Sequence, residues 1–302
     1  LHSCIFKICG KQPGKNWARC FIQHCPHLVS AKPHGLDPKR AQNFNRKTIE
    51  EYFQLRGEVE EKYNGIPPEH NWNMDEKGNQ LGGGRKGSGM KFIFWTENKE
   101  HYCLHCDNDN LKLGSILECV NAAGTAMPPC FVMKEGPLAD HSDIEGIGLT
   151  NINYLTRIAM LPNGSINQVL CKEWFRDTFV PNALACRVNE KPIVLNTNGR
   201  ACLLLVDGHN SHYTKDFLDY AWDHNIHVLC YPAHSTHVYQ GLDVVVFSPL
   251  KCSWTEECDH FENSKCLQIT KQNFISVYGR AHCKVLTPEL ICTAFKKMGV
   301  WP

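Results

Sequence analysis

The sequence contains no apolar run longer than six residues, Ala201 to Val206, whereas a membrane-spanning helix needs about 20. We therefore expect no membrane span and no membrane partner. Net charge is also nearly absent, because 32 Lys and Arg residues offset 31 Asp and Glu residues and leave +1. A charge this small neither supports nor excludes binding to nucleic acid. With 302 residues, 42% of them hydrophobic, the chain can build one large core or two smaller ones.

A secretory signal peptide and a paired cysteine pattern are both missing. The 17 cysteines are odd in number and scattered, which favours the reduced thiols of an intracellular protein over a disulfide framework. Because the chain begins at Leu1, we expect it to be a fragment of a longer protein. Two clusters contain metal-binding residue types: Cys20, His24, Cys25 and His27, and the pair Cys103 and Cys106. Neither has zinc-finger spacing or a second ligand pair, so a zinc-binding interaction module is the weakest of our hypotheses.

The most informative stretch is residues 202–212. Leu203 to Val206 is apolar without alternation, which is typical of a strand buried on both faces. Asp207 follows directly and would lie at the carboxyl end of that strand, where open α/β sheets place their ligands. Downstream, Thr214 can cap a helix, and residues 226–231 form another apolar run. This order predicts a βαβ unit with two parallel strands.

Similar patterns predict the rest of a mixed α/β sheet flanked by helices. Strands are predicted at 70–76, 111–120 and 128–134, and helices at 17–25, 45–64, 168–180, from 246 and from 287. Residues 135–165 show no clear period. Gly65 and the Pro67-Pro68 pair end the second helix, so we place a domain boundary there, with domains at 1–66 and 67–302.

Two basic segments interrupt this pattern. Lys39 and Arg40 lie in a stretch with few acids, which suits either a solvated linker or one that contacts phosphate. Arg85 and Lys86 lie in a glycine-rich segment that is not a phosphate-binding Walker loop, because no Gly-Lys-Ser/Thr opens a helix. We interpret the second segment as a flexible basic hairpin.

Three aspartates lie at the ends of the predicted elements. Asp75 would close the first strand, Asp207 the fourth, and Asp243 precedes a helix. In a ribonuclease-H-like sheet the first and fourth strands are neighbours, so the three carboxylates would converge. Their mutual repulsion favours a hard divalent cation, and oxygen ligands suit Mg²⁺ or Mn²⁺ rather than zinc. Two such ions roughly 3.5–4 Å apart can hold a phosphodiester for hydrolysis or transfer.

Several stretches resemble the DDE superfamily endonuclease domain of pogo-like transposases, the group related to the Jerky-like proteins and centromere protein B. Leu36–Arg40 resembles the end of that family's helix-turn-helix DNA-binding region. The other matching stretches are Asn73–Gly78 with Leu81–Gly83, Leu204–His209 with Ser211–His212, Cys230–His237 running into Gln240–Asp243, and then Val246–Phe247 and Pro249–Lys251.

The resemblance implies a ribonuclease-H-like fold, preceded by a helix-turn-helix remnant within residues 1–66. It implies a catalytic site of Asp75, Asp207 and Asp243 with two Mg²⁺ or Mn²⁺ ions, and DNA partners at transposon ends and at the target. It also implies a homodimer on DNA and a location in the nucleus. His209 and His212 match family positions around the cleft, as structural or catalytic residues. Residues expected to contact DNA are Lys39, Arg40, Arg85, Lys86, His234 and His237.

The sequence departs from the family pattern at two places. Gly241 stands where the family usually has Pro, and a loosened turn would result there. Gly164–Asn167 replaces a stretch that usually carries a Trp and an acid. These departures leave open a domesticated, catalytically inactive nuclear DNA-binding protein, whereas the three intact acids favour a nuclease.

Overall fold

A computed structural model describes most of the chain in two compact units, Leu1–Ala41 and Gln42–Pro302. The described residues are 2–25, 27, 45–80, 113–134, 157–162, 165–183, 201–208, 214–232, 235–267 and 269–300. No helix within these ranges is both long and apolar enough to cross a membrane.

The first unit contains two short helices, α1 (His2–Cys9) and α2 (Trp17–His24). Helix α2 matches the prediction, and its Trp17 ring stacks on Phe21 with the centroids 4.8 Å apart. Helix α1 was not predicted. The thiols of Cys20 and Cys25 are free.

The second unit is built on a six-stranded mixed sheet with the order β4-β3-β2-β1-β5-β6. The strands are β1 (Asn71–Gln80), β2 (Leu113–Asn121), β3 (Cys130–Lys134), β4 (Arg157–Leu161), β5 (Cys202–Val206) and β6 (Ile226–Cys230). Neighbours β1, β2 and β3 are antiparallel, whereas β1, β5 and β6 run parallel. The first and fourth predicted strands, β1 and β5, are therefore neighbours, which confirms the ribonuclease-H-like arrangement. Strand β4, parallel to β3, was not predicted.

Helices cover both faces of the sheet. They are α3 (Arg46–Lys62), α4 (Gln168–Trp174), α5 (Val180–Ala183), α6 (Lys215–Asp223), α7 (Thr236–Tyr239), α8 (Phe247–Lys265), α9 (Lys271–Val285) and α10 (Pro288–Lys297). The side chains of α8, α9 and α10 pack on one face with Leu203 and Leu205. Those of α4 and α6 pack on the other face with Leu204 and Val206. Strand β5 is thus buried on both faces, as its unbroken apolar run predicts.

Local sequence signals explain the ends of several helices. The Thr214 hydroxyl accepts a hydrogen bond from the Phe217 N–H at 3.3 Å and caps α6, as predicted. Thr287 caps α10 in the same way, and Gly299 ends it with a φ of +68°. Helix α9 was not predicted, although its side chains supply a large part of the core.

Helix α3 packs against the sheet unit, whereas the predicted boundary at 66/67 assigns it to the amino-terminal domain. The Tyr52 ring lies 5.9 Å from the Tyr231 ring, and both are buried. The Arg56 guanidinium donates to the Val300 carbonyl at 2.9 Å. These contacts place the division before α3. The assignment of residues 1–66 to a helix-turn-helix remnant stays a prediction.

Candidate nuclease site

The pairing of β1 with β5 determines where Asp75 lies relative to Asp207. Asn73 is opposite Leu205 in the last parallel pair. Asp75 and Asp207 are two residues further along their strands, and residues two apart on a strand point to the same face. Asp75 on β1 therefore lies beside Asp207, which directly follows β5, on the face covered by α8 to α10.

Asp75 lies in the middle of a ten-residue strand, so the prediction that it ends a short strand was wrong. The polar residues after Asp75 continue the strand because β2 pairs with them as far as Gln80. In this register Asp75 is opposite Glu118. The pairing leaves Asp75 only 5% exposed.

Asp243 reaches the site from the chain that leads into α8. It lies in a π-helical turn, Leu242–Val246, whose residues Leu242 and Val246 are buried in the core. A π-helical turn carries an extra residue, and such turns are frequent at functional sites. Asp243 is exposed and Asp207 is partly buried, so the site opens to solvent on that side.

The three carboxylates interact through their charges. Burial raises the pKa of Asp75 well above its ordinary value, and the nearby charges of Asp243 and Asp207 raise it further. Its Oδ1 atom accepts a hydrogen bond from the Glu76 N–H at 2.8 Å. Its Oδ2 atom is buried and has no hydrogen-bond partner among the described residues. A carboxylate in this situation favours a hard cation, so the residues fit Mg²⁺ or Mn²⁺.

The three aspartates, all among the described residues, interact through their charges without forming a complete set of metal ligands. In the described part of the chain, no group of three His, Cys, Asp or Glu side chains is arranged to hold a metal ion as it stands. The two observations differ because charges act over longer distances than metal–ligand bonds. The shared register and the charge interaction locate the candidate site. The ligand assignment of Asp75, Asp207 and Asp243 stays a prediction.

A family model for the DDE superfamily endonuclease matches residues 110–295, more than half of the chain. The chain belongs to the DDE endonuclease superfamily. The matched region contains Asp207 and Asp243 and begins after Asp75. The pogo-like subgroup stays a prediction within this superfamily.

A protein described as a transporter also shares sequence similarity with this DDE domain. An MFS-type transporter, clz9, from Cochliobolus lunatus is 27% identical over 198 residues. The alignment covers 64% of this chain but only 19% of that protein, so the chain spans about a fifth of its relative's length.

Solved structures of Mos1 transposase resemble the DDE domain at low identity. The strand transfer complex is 11% identical with a TM-score of 0.49, covering 98% of this chain and 73% of that one. The catalytic domain with raltegravir and Mg is 12% identical with a TM-score of 0.46, covering 88% and 92%. The paired-end complex with Mn is 12% identical with a TM-score of 0.45, covering 98% and 77%. All three TM-scores are below 0.5.

Most of the other site residues predicted from the DDE resemblance lie outside the described residues. These are Lys39, Arg40, Arg85, Lys86, His209, His212 and His234. The cysteine pair Cys103 and Cys106, considered for zinc, also lies outside them. His237 is described only as part of the backbone of α7. Their predicted contacts with DNA stay predictions.

Two charged residues beside the DDE acids were missed by the sequence analysis. Lys77 lies two residues after Asp75 and donates to the Phe247 carbonyl at 3.3 Å, and burial lowers its pKa to about 8. Glu118 is fully buried, and its Oε1 atom accepts hydrogen bonds from the Tyr278 hydroxyl and from His282 Nδ1. Side chains alternate between the faces of a strand, so Lys77 is predicted to lie on the same face of β1 as Asp75. For Glu118, the available signal was a single acidic residue within a largely apolar strand.

The turn that carries Gly241 is packed rather than loosened. Its backbone is helical, with a φ of −62° and a ψ of −34°. The Gly241 N–H donates to the Met298 sulfur at 3.1 Å, and a Cβ atom at this position would lie 2.7 Å from the same sulfur. A proline at this position would have no N–H to donate, and its Cβ atom would clash with the Met298 sulfur. The glycine and the buried Met298 side chain therefore fit one another.

Gly241→Ala should lower the free energy of unfolding by about 1 kcal/mol, because the added methyl group must displace the buried Met298 side chain while alanine favours the helical backbone. In a Met298→Ala background the same change should cost little, since the three nearest atoms to the new Cβ all belong to Met298. A double-mutant cycle by urea denaturation measures this coupling. Additive effects of the two substitutions would show that the contact does not limit packing.

Proposed function

We propose that this DDE domain cuts and joins DNA phosphodiesters, as a transposase does, with Asp75, Asp207 and Asp243 holding two Mg²⁺ or Mn²⁺ ions. The observation that carries the proposal is the placement of the three aspartates. They come from β1, from the end of β5 and from the turn before α8, and the charges of the other two act on Asp75. Membership of the DDE superfamily supports the same reaction class.

Each aspartate has a distinct task in this proposal. Asp75 and Asp207 would hold one ion, and Asp75 and Asp243 the other. Bound ions would activate a water molecule or the 3′-hydroxyl of DNA for attack and would stabilise the leaving oxygen. Asp75 is the buried carboxylate and fixes the site to the sheet, whereas the exposed Asp243 faces the side from which a DNA strand can enter.

The proposed partners are transposon-end DNA and target DNA, and the proposed assembly is a homodimer on DNA in the nucleus. The motifs that resemble pogo-like transposases support this part, together with the basic residues Lys39, Arg40, Arg85 and Lys86. A catalytically inactive DNA-binding protein is the alternative. It is not favoured, because all three acids are present and Gly241 is well packed.

The wild-type chain should bind Mn²⁺ in isothermal titration calorimetry, and Asp75→Asn should remove this binding. The amide keeps the size of the buried side chain but cannot supply an anionic oxygen. Asp219→Asn is the matched control, because Asp219 lies exposed on α6, away from the three acids in sequence and element.

The two substitutions must therefore differ. Equal Mn²⁺ affinity in the wild type and in Asp75→Asn would contradict the proposed site. Circular dichroism on the same samples shows whether each variant is folded, so loss of binding is not confused with loss of structure.

A further inference from the structure

A buried hydrogen-bond network lies directly behind the three aspartates. The Asn73 amide nitrogen donates to Gln240 Oε1 at 2.6 Å, to the Tyr231 hydroxyl at 3.1 Å and to the Leu205 carbonyl at 3.3 Å. The Gln240 amide nitrogen donates to the Met74 carbonyl at 3.1 Å. Asn73 is 1% exposed and Gln240 is fully buried. Water therefore does not compete for these hydrogen bonds.

Three residues of the network each lie two or three positions before one of the aspartates in the sequence. Asn73 precedes Asp75 by two residues, which places both side chains on the same face of β1. Leu205 precedes Asp207 by two residues on β5. Gln240 precedes Asp243 by three residues, and its carbonyl accepts the Val244 N–H at 2.9 Å as the π-helical turn begins. The network thus connects the three segments that carry the acids.

The hydrogen bonds of this network add to the backbone pairing between β1 and β5. Parallel pairing of β1 with β5 stops at Asn73 and Leu205, so no described ladder pair continues to Asp75 and Asp207. The π-helical turn is not part of the sheet. A side-chain amide with both a donor and an acceptor can join such segments, because it bonds in two directions at once.

We propose that Gln240 and Asn73 are positioning residues that keep β1, β5 and the π-helical turn beside one another, so that the three aspartates can converge on divalent cations when these bind. This inference rests on the proposed function, because it assigns to the network a role at that metal site. Residues of this kind orient ligands without touching the ion, and their replacement typically weakens metal affinity by roughly 10–100-fold.

Gln240→Met is the sharpest test, because methionine has a similar size but forms neither of the two amide hydrogen bonds. The dissociation constant of the Gln240→Met variant for Mn²⁺, measured by electron paramagnetic resonance and calorimetry, should be roughly 10–100-fold higher than that of the wild type. Unfolding by urea, measured in parallel, identifies conditions in which every variant is folded. If Gln240→Met does not fold, Asn73→Ala tests the same contact and leaves the Gln240–Met74 hydrogen bond in place.

Asn121→Leu is the matched control for a general loss of stability. Asn121 is also buried, and its amide contacts the Glu69 carbonyl and the Thr125 N–H. It is paired with Trp72, three residues before Asp75, and therefore lies on the opposite face of the sheet. Its replacement should lower stability and leave the affinity for Mn²⁺ unchanged.

The outcomes separate the inference from the proposed function. If folded Gln240→Met binds Mn²⁺ like the wild type while Asp75→Asn does not bind it, the positioning role is overturned and the metal site stands. An equal loss of affinity in Asn121→Leu also overturns it, because the effect would then be general. If the wild type shows no binding that depends on Asp75, both the metal site and the positioning role fall.

Discussion

Asp207→Asn should abolish metal-dependent DNA cleavage by this chain while its fold and its affinity for DNA stay nearly unchanged. Asp207 follows the fully buried strand β5 and is itself only partly buried, so a neutral amide of the same shape fits there. The amide cannot supply an anionic ligand. Because metal ions contribute several kcal/mol of transition-state stabilisation, the cleavage rate should fall by roughly a thousand-fold or more.

Nicking of supercoiled plasmid DNA in Mg²⁺ or Mn²⁺ measures this effect, with Asp219→Asn as the control that should cleave normally. Cleavage by Asp207→Asn at the wild-type rate would mean that the site is assigned to the wrong residues. A wild-type chain that binds DNA and holds Mn²⁺ but cuts no DNA would instead favour the inactive DNA-binding alternative.

His282→Ala should lower the free energy of unfolding by about 3–5 kcal/mol, because it leaves the Glu118 carboxylate buried without its ionic partner. His282 Nδ1 lies 3.1 Å from Glu118 Oε1. Burial alone would lower the pKa of His282, but the charge and hydrogen bond of Glu118 raise it above its ordinary value. The histidine is therefore held in its charged form to higher pH than in the unfolded chain.

The sign of the pH dependence follows from this raised pKa. The contribution of His282 to stability is complete below the pKa of an unfolded histidine, about 6.5, and is lost as the pH rises through the raised value. The difference between wild type and His282→Ala should therefore shrink as the pH increases from about 6 towards 9. Urea denaturation at several pH values measures it. A difference that is constant with pH would show that the charge of the pair does not stabilise the fold.

Two further variants separate the charge from the other contacts. Tyr278→Phe removes the second donor to Glu118 without removing a charge, so its effect should not follow the titration of His282. Lys284→Ala breaks an exposed ion pair with Glu256 on the surface of α9 and should have little effect at any pH.

Elements with strong local signals were predictable from the sequence. Strand β5 has an unbroken apolar run, and α6 and α10 have Thr caps and apolar residues at helical spacing. Strand β4 was missed because its five residues, Arg157–Leu161, lie within the stretch 135–165, which shows no clear period. A strand this short gives a weak local signal.

The sequence predicts which acids form the candidate site, and their assignment as ligands stays a prediction. Asp207 was chosen because it directly follows an apolar strand, and Asp243 because it precedes a helix. The extent of β1 was misjudged because the polar residues after Asp75 are typical of a loop, and only their pairing with β2 makes them a strand. The contact between Asn73 and Gln240 joins residues 167 positions apart, so no pattern within either segment predicts it.

Helix α3, near the start of the second unit, contacts residues near the end of that unit. Its Arg56 side chain holds the carbonyl of Val300, 244 positions away, near the last described residue. Its Tyr52 ring also covers Tyr231, whose hydroxyl accepts a hydrogen bond from Asn73. Helix α3 therefore belongs to the same compact unit as the sheet. A truncation at residue 67 would remove the aromatic cover over Tyr231 and the guanidinium that binds the Val300 carbonyl.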